Sequence, residues 1–337
     1  MATKTWVGGT GSFNDPTEWS PTGAPVAGDV AIIQIGTAIA QEQKLDGFEL
    51  QLQSPASVLD ISDVQFGAHF ILSVPPGPGG TATLNATGFN ANYGLIEVVN
   101  PAGNGPQEFA PPFTITMSDL APSATCSGAR AIFVNDGTIL VNSGQPFAIV
   151  AQSADAVLIN NGLMHLDAPF LQADIGVSVL GTGTIETGHA FTPAPSALEL
   201  ASIPYIQFGG AVGSGENLQF DGTAWIQIDK PSQFHALIHG FQPLVSPPPY
   251  NAYDSFYQPE LILANTQVTS YNVSNDVLSL WNGSSLVAQL RFTDFVYTKA
   301  NFSVTSSGSS TIIEAQGTLT PIGTTTSHAA VAEHVLG

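Results

Sequence analysis

One short phrase recurs along this chain and limits what it can fold into. Asn92-Tyr93-Gly94-Leu95-Ile96-Glu97-Val98 has the form Asn-x-Gly-x-apolar-x-Val, and Asn135-Asp136-Gly137-Thr138-Ile139-Leu140-Val141 repeats it. Asn160-Asn161-Gly162-Leu163-Met164-His165-Leu166 and Gly181-Thr182-Gly183-Thr184-Ile185-Glu186-Thr187 follow. The glycines at 94, 137, 162 and 183 lie 43, 25 and 21 residues apart, which reads as about two periods, then one and one. A period in the low twenties has room for three short strands and their turns, one coil of a stack whose coils rise by about 4.8 Å. In such a stack Ile96 and Val98, Ile139 and Val141, Met164 and Leu166, and Ile185 and Thr187 face inward at equivalent places. Glu97, Leu140, His165 and Glu186 then face out. Asn or Gly at the turn would supply left-handed backbone, and stacked Asn side chains can bond along the axis. Unrelated hairpins with shared turn chemistry are the alternative.

The punctuation agrees with strands. With 34 Gly and 24 Pro among 337 residues, few segments can run as helix for three turns, while short Val-, Ile-, Thr- and Phe-rich stretches sit between Gly, Asn, Asp and Pro clusters. We therefore expect an all-β chain: a right-handed parallel β-helix with an antiparallel β cap or small sandwich at its carboxy-terminal end. The expected division is an amino-terminal β cap over 1–36, the solenoid over 37–242, the antiparallel cap over 243–320 and a tail over 321–337.

Charge removes several functions. Lys and Arg number 6 against 26 Asp and Glu, a net charge of −20, and only 9% of residues are charged. Nucleic-acid binders draw affinity from Lys and Arg at phosphates, so no nucleic-acid partner is expected. Adhesion to anionic membranes is disfavoured for the same reason, and no apolar run is long enough to insert in a bilayer. A 43% hydrophobic content is enough for a large core. The one cysteine, Cys126, precludes an intramolecular disulfide and reads as a small structural residue. Met1 to Trp6 has no n-region or h-region, so export is expected without a cleaved amino-terminal signal. The scarcity of Lys and Cys and the abundance of Thr, Ser, Asn and Gly resemble bacterial proteins exported in one step, and the tail from Thr324 to Gly337 is compatible with an uncleaved signal.

Trp6-Val7-Gly8-Gly9-Thr10-Gly11-Ser12-Phe13, then Trp19-Ser20-Pro21, Pro25 and Gly28-Asp29-Val30-Ala31-Ile32-Ile33, resembles the opening of bacterial secreted or surface β-strand-repeat proteins. Leu180 to Ile185, Asn217 to Gly222 and Ile238 to Phe241 resemble the same group. These are parallel β-helix proteins such as adhesin-like and haemagglutinin-like passenger regions, here without a membrane barrel. The resemblance implies an extracellular or cell-surface location and leaves activity open, because the scaffold carries adhesins, matrix proteins, and polysaccharide lyases and hydrolases. The calcium-binding Gly-Gly-x-Gly-x-Asp nonapeptide is absent, so calcium is not carried over, and no cofactor is expected.

The carboxy-terminal third changes character. Pro243 to Pro249 reads as a stiff loop, and aromatics cluster after it. Leu278 and Leu280 alternate before Asn282-Gly283, and Leu286, Ala288, Leu290 and Phe292 alternate after it, a hairpin signature. Tyr250, Tyr253, Tyr257 and Trp281 are the candidates for stacking on sugar rings.

No catalytic motif stands out. Arg130, Lys230 and Arg291 are the candidate bases of a lyase, and Asp60 with Asp63, or Asp155, Asp167 and Asp174, the candidate acids of a hydrolase; solvated turn residues are the plainer reading. His235 and His239 would chelate on a helix, but on a strand they stand roughly 13 Å apart. The chain reads first as a structural or adhesive protein that assembles with copies of itself or binds surface polysaccharide. A polysaccharide lyase or glycoside hydrolase on the same scaffold is the alternative.

Overall fold

The computed structural model describes residues 1–54, 56–67, 69–73, 82–99, 113–119, 130–142, 146–168, 171–188, 203–243 and 258–322. Nearly all of the regular structure is β. Among the described residues the helical segments are three-residue 3-10 turns, such as Pro16–Glu18 and Pro231–Gln233. From Gly36 to Thr187 the chain visits three sheets in a fixed rotation, one strand in each per coil, and these strands pair in parallel with the strand one coil away. The result is a three-walled, solenoid-like stack.

The registers give the coil lengths directly. Val30 pairs with Glu49, Leu50 with Phe70, Thr138 with Leu163, Leu163 with Thr184, and Asn217 with Leu237, all between 19 and 25 residues apart. The 43-residue interval from Gly94 to Gly137 is a single coil and not the two expected, because Leu95 pairs directly with Thr138. A coil is counted by which strands pair, and connections lengthen it at little entropic cost; the extra chain falls in 100–112 and 120–129, outside the described residues.

Alternation places one residue in two inside. On the first sheet Leu50, Phe70, Ile96, Ile139, Met164, Ile185, Leu218, Ile238 and Phe292 form one inward row in register, each at most 4% exposed. Each such side chain contributes about 1.5–3 kcal/mol on burial. At one corner the turn asparagines form a buried ladder: Asn92 Nδ2 donates to Asn135 Oδ1 and Asn135 Nδ2 to Asn160 Oδ1, both at 2.8 Å. Gly181 adopts the expected positive φ, at +128°, but two other repeat glycines serve a different purpose. Gly137 and Gly162 are not left-handed; instead a Cβ would lie 2.1 Å from the Gly94 carbonyl oxygen and 2.0 Å from that of Gly137. Close stacking of successive turns requires them.

The ladder ends on a carboxylate. Gly181 occupies the position in register with Asn160, and Glu216, two coils from Asn160, crosses the space to accept from Asn160 Nδ2 at 2.9 Å. Glu216 is fully buried, its other oxygen has no partner among the described residues, and burial raises its pKa to about 6.

Antiparallel strands close the stack. Trp19–Ser20 lies antiparallel on Thr3–Trp6, which already pairs in parallel with Val30–Ile33, so segment 1–36 holds both a coil strand and its cover. At the other end Ser270–Ser274, Val277–Asn282 and Ser285–Phe292 form a meander with the turn at Asn282-Gly283, Gly283 lying at φ +60°. Ser310–Ala315 extends the second sheet antiparallel to Glu260–Leu263, and Phe302–Ser307 pairs antiparallel with Ser310–Ala315 at its edge. Under them Phe241, Phe292, Tyr297 and Phe302 pack with ring centroids 5.0–5.4 Å apart, so these late aromatics are core.

Candidate functional site

The outer face of the second sheet gathers the side chains best suited to a ligand. Toward the amino-terminal end, Gln41, Ser62, Thr87 and Ser118 stand in register on successive coils, with Asp60 and Asn85 in the neighbouring row. With Ile39 and Gln152 they line an open groove of about 440 Å³. Asn85 Nδ2 donates to Asp60 Oδ1 at 2.7 Å and Ser118 Oγ to Gln152 Oε1 at 2.8 Å, so hydroxyls and amides dominate the lining.

Further along the same face lies an aromatic ledge. Tyr205–Phe208, Trp225–Ile228 and Glu260–Leu263 each bury their second and fourth residues and turn the first and third outward. Register then aligns Gln172, Tyr205, Trp225, Glu260 and Glu314 in one row, and Asp174, Gln207 and Gln227 beside it. At about 4.8 Å between strands the row extends some 19 Å. A net of neutral donors fixes it. Tyr205 Oη donates to Gln227 Oε1 at 2.5 Å, while Gln207 Nε2 and Gln227 Nε2 each donate to Asp229 at 2.7 Å. The Trp225 ring is half-buried, and its Nε1 has no partner among the described residues.

The ledge is acidic. Burial, with Glu314 opposite, raises the Glu260 pKa to about 7. Burial and then Asp229 raise Asp174, and burial followed by Asp229 and Asp174 raises the Tyr205 phenol. Among the described residues no Lys, Arg or His forms an ion pair with Asp174, Asp229, Glu260 or Glu314. In the sequence no protein-family model and no curated protein matches this chain. The site must therefore be read from its own chemistry.

The first sheet carries a contrasting face. His165 lies between Asp167 at 3.0 Å and Glu186 at 2.6 Å; these two acceptors hold its pKa up at about 10. His165 in turn lowers Glu186, while burial and the adjoining Glu186 raise Asp221. His69 meets Glu97 at 2.8 Å, and His239 sits between Asn217 at 3.2 Å and Asp294 at 3.4 Å. Asp221 and Asp294 line a cavity of about 310 Å³ with Gln219, Gly240 and Phe295.

The residues singled out in the sequence scatter. Tyr250, Tyr253, Tyr257 and Cys126 lie outside the described residues. Trp281 is half-buried on the terminal meander of the first sheet, on a different wall from Trp225. Arg130 meets Asp155 at 3.6 Å on the surface, Lys230 precedes the Pro231–Gln233 turn, and Arg291 lies on the first sheet, so the three bases share no site. Asp63 is a turn residue at φ 55° whose carboxylate accepts from the Phe89 amide. Asp167 belongs to the His165 network, Asp60 to the groove and Asp174 to the ledge. His235 is exposed, and no group of three or more His, Cys, Asp or Glu suited to a metal occurs among the described residues. Sequence reading missed Tyr205, Trp225, Glu260 and Glu314. A signal was present: Tyr205-Ile206-Gln207-Phe208 and Trp225-Ile226-Gln227-Ile228 repeat aromatic-Ile-Gln-apolar at a 20-residue interval.

Proposed function

We propose that this chain is an extracellular adhesive protein, a right-handed parallel β-helix that binds polysaccharide along the outer face of its second sheet. The observation that carries this reading is the row Tyr205, Trp225, Glu260, Glu314 with the amides of Gln207 and Gln227 beside it. Aromatic faces accept the apolar side of a sugar ring, and fixed amides and carboxylates satisfy its hydroxyls. A linear glycan repeats its chemistry along its length, as the coils do, and the groove at Gln41, Ser62 and Thr87 offers further hydroxyl and amide contacts on the same face. Adhesion suits the strand edges better than end-to-end polymerisation does, since short antiparallel strands blunt both ends of the first sheet. Affinity electrophoresis through gels containing single polysaccharides tests the proposal. Wild type should be retarded by at least one glycan and Trp225→Ala should migrate freely; equal retardation of both would refute the site.

A second reading, cleavage of the bound glycan, is favoured by Glu260 standing directly opposite Glu314, with one carboxyl able to keep a proton near neutrality. New reducing ends that disappear in Glu260→Gln would support it. A glycan retained but left intact after prolonged incubation would leave binding as the whole function.

A further inference from the structure

The carboxylates of the ledge decide the charge of the ligand. Among the described residues Asp229 receives only the neutral amides of Gln207 and Gln227, which orient its charge without cancelling it. Asp174, Glu260 and Glu314 receive no hydrogen bond among the described residues, and Lys230, which follows Asp229 in sequence, is exposed and forms an ion pair with none of them. On the first-sheet face, by contrast, Glu97, Asp167, Glu186 and Asp294 each meet an imidazole. A uronate or sulfated glycan laid on the ledge would place anion against anion. A neutral glycan would hydrogen-bond these carboxylates through its hydroxyls but leave their charge uncompensated. Ammonium groups spaced along a polymer would answer both problems, each donating up to three charge-assisted hydrogen bonds, and the net charge of −20 would draw such a polymer in.

Granted that the ledge binds glycan, we infer that its ligand is a polysaccharide bearing free amino groups, a polymer of unacetylated hexosamine residues, held with its rings on Tyr205 and Trp225 and its ammonium groups against Asp174, Asp229, Glu260 and Glu314.

Titration calorimetry with a set of hexamers tests this. β-1,4-linked glucosamine hexamer and its fully N-acetylated counterpart share a backbone and differ in charge, and a galacturonate hexamer supplies the opposite sign, with and without added calcium. The amino hexamer should bind about tenfold more tightly than the acetylated one, as expected for two or three partly exposed charge pairs. Raising the salt should shrink that ratio. The double variant Glu260→Gln, Glu314→Gln should reduce it to about twofold by weakening the amino hexamer more than the acetylated one, with an unfolding temperature within a few degrees of wild type; if the double variant does not fold, Asp174→Asn, an exposed position, serves for the same comparison. Equal or tighter binding of the acetylated hexamer overturns the inference and leaves glycan binding standing, as does galacturonate binding that appears only with calcium. Failure of all three hexamers overturns both.

Discussion

Two faces of one stack handle carboxylates in opposite ways. On the first sheet His69, His165 and His239 each stand against an acid, and His165, its pKa held up at about 10, lies between two. On the second sheet Asp174, Asp229, Glu260 and Glu314 gather around Tyr205 and Trp225 with amides and, among the described residues, no paired cation. Coil geometry is the same for both, with outward positions stacked at about 4.8 Å. What differs is completion: one face sets an imidazole against four of its carboxylates, and the other, among the described residues, sets no ion-paired cation against its own. Paired charges on a β wall read as stability, and unpaired ones beside half-buried, outward-facing aromatics as recognition.

Exchanging single residues separates the two roles. The largest effect on stability should come from His165→Ala. Its folded pKa, about 10, exceeds the unfolded value of 6.5, so its contribution is fully present below pH 6.5 and is lost as the pH rises toward 10. Discounted for a side chain 27% exposed, the loss should be on the order of 2–3 kcal/mol at pH 6 and close to zero at pH 10, read from urea unfolding at both pH values. Glycan retardation of this variant should match wild type. Trp225→Ala should do the reverse, weakening glycan binding by about thirtyfold, near 2 kcal/mol, and changing little in the pH dependence of unfolding.

The interior between the faces offers a further contrast. Glu216 has a folded pKa of about 6 against 4.5 unfolded, so it destabilises the chain progressively as the pH rises from about 4.5 to 6. Glu216→Gln should stabilise by about 2 kcal/mol at pH 8 and have no effect at pH 4; a pH-independent change would mean that the carboxylate is neutralised by another route. The smallest effect is expected from Glu260→Gln. Burial and Glu314 raise its pKa from 4.5 to about 7, so this variant should gain on the order of 1 kcal/mol above pH 7, and nothing below pH 4.5, after allowance for partial exposure.

Much of the stack was legible in the sequence because its periodicities are local. The inward sets Ile96 and Val98, Ile139 and Val141, and Met164 and Leu166 follow from alternation, and the Asn ladder from a residue recurring at one place per coil. Coil counting over 94–137 failed because pairing, and not chain length, defines a coil. The glycine rationale failed because the close approach of Gly137 to Gly94 is a contact between coils that no single turn reveals. The ledge was the hardest to read. Gln172, Tyr205, Trp225, Glu260 and Glu314 come together only through register, across intervals of 33, 20, 35 and 54 residues, the last of them antiparallel. Aromatics after the proline-rich loop stand out by composition, while the aromatic-Ile-Gln-apolar repeat that marks the face is only four residues long.

The central claim is where a glycan lands. Hydroxyl-radical footprinting of the intact chain, with and without whichever polysaccharide retards it most in affinity gels, reports that directly. Oxidation of Tyr205 and Trp225 should fall several-fold on binding, while His165, His239 and Trp281 on the first sheet react as before. Protection confined to the first sheet, or no protection at either aromatic at saturating glycan, would contradict the assignment of the second-sheet face as the binding surface.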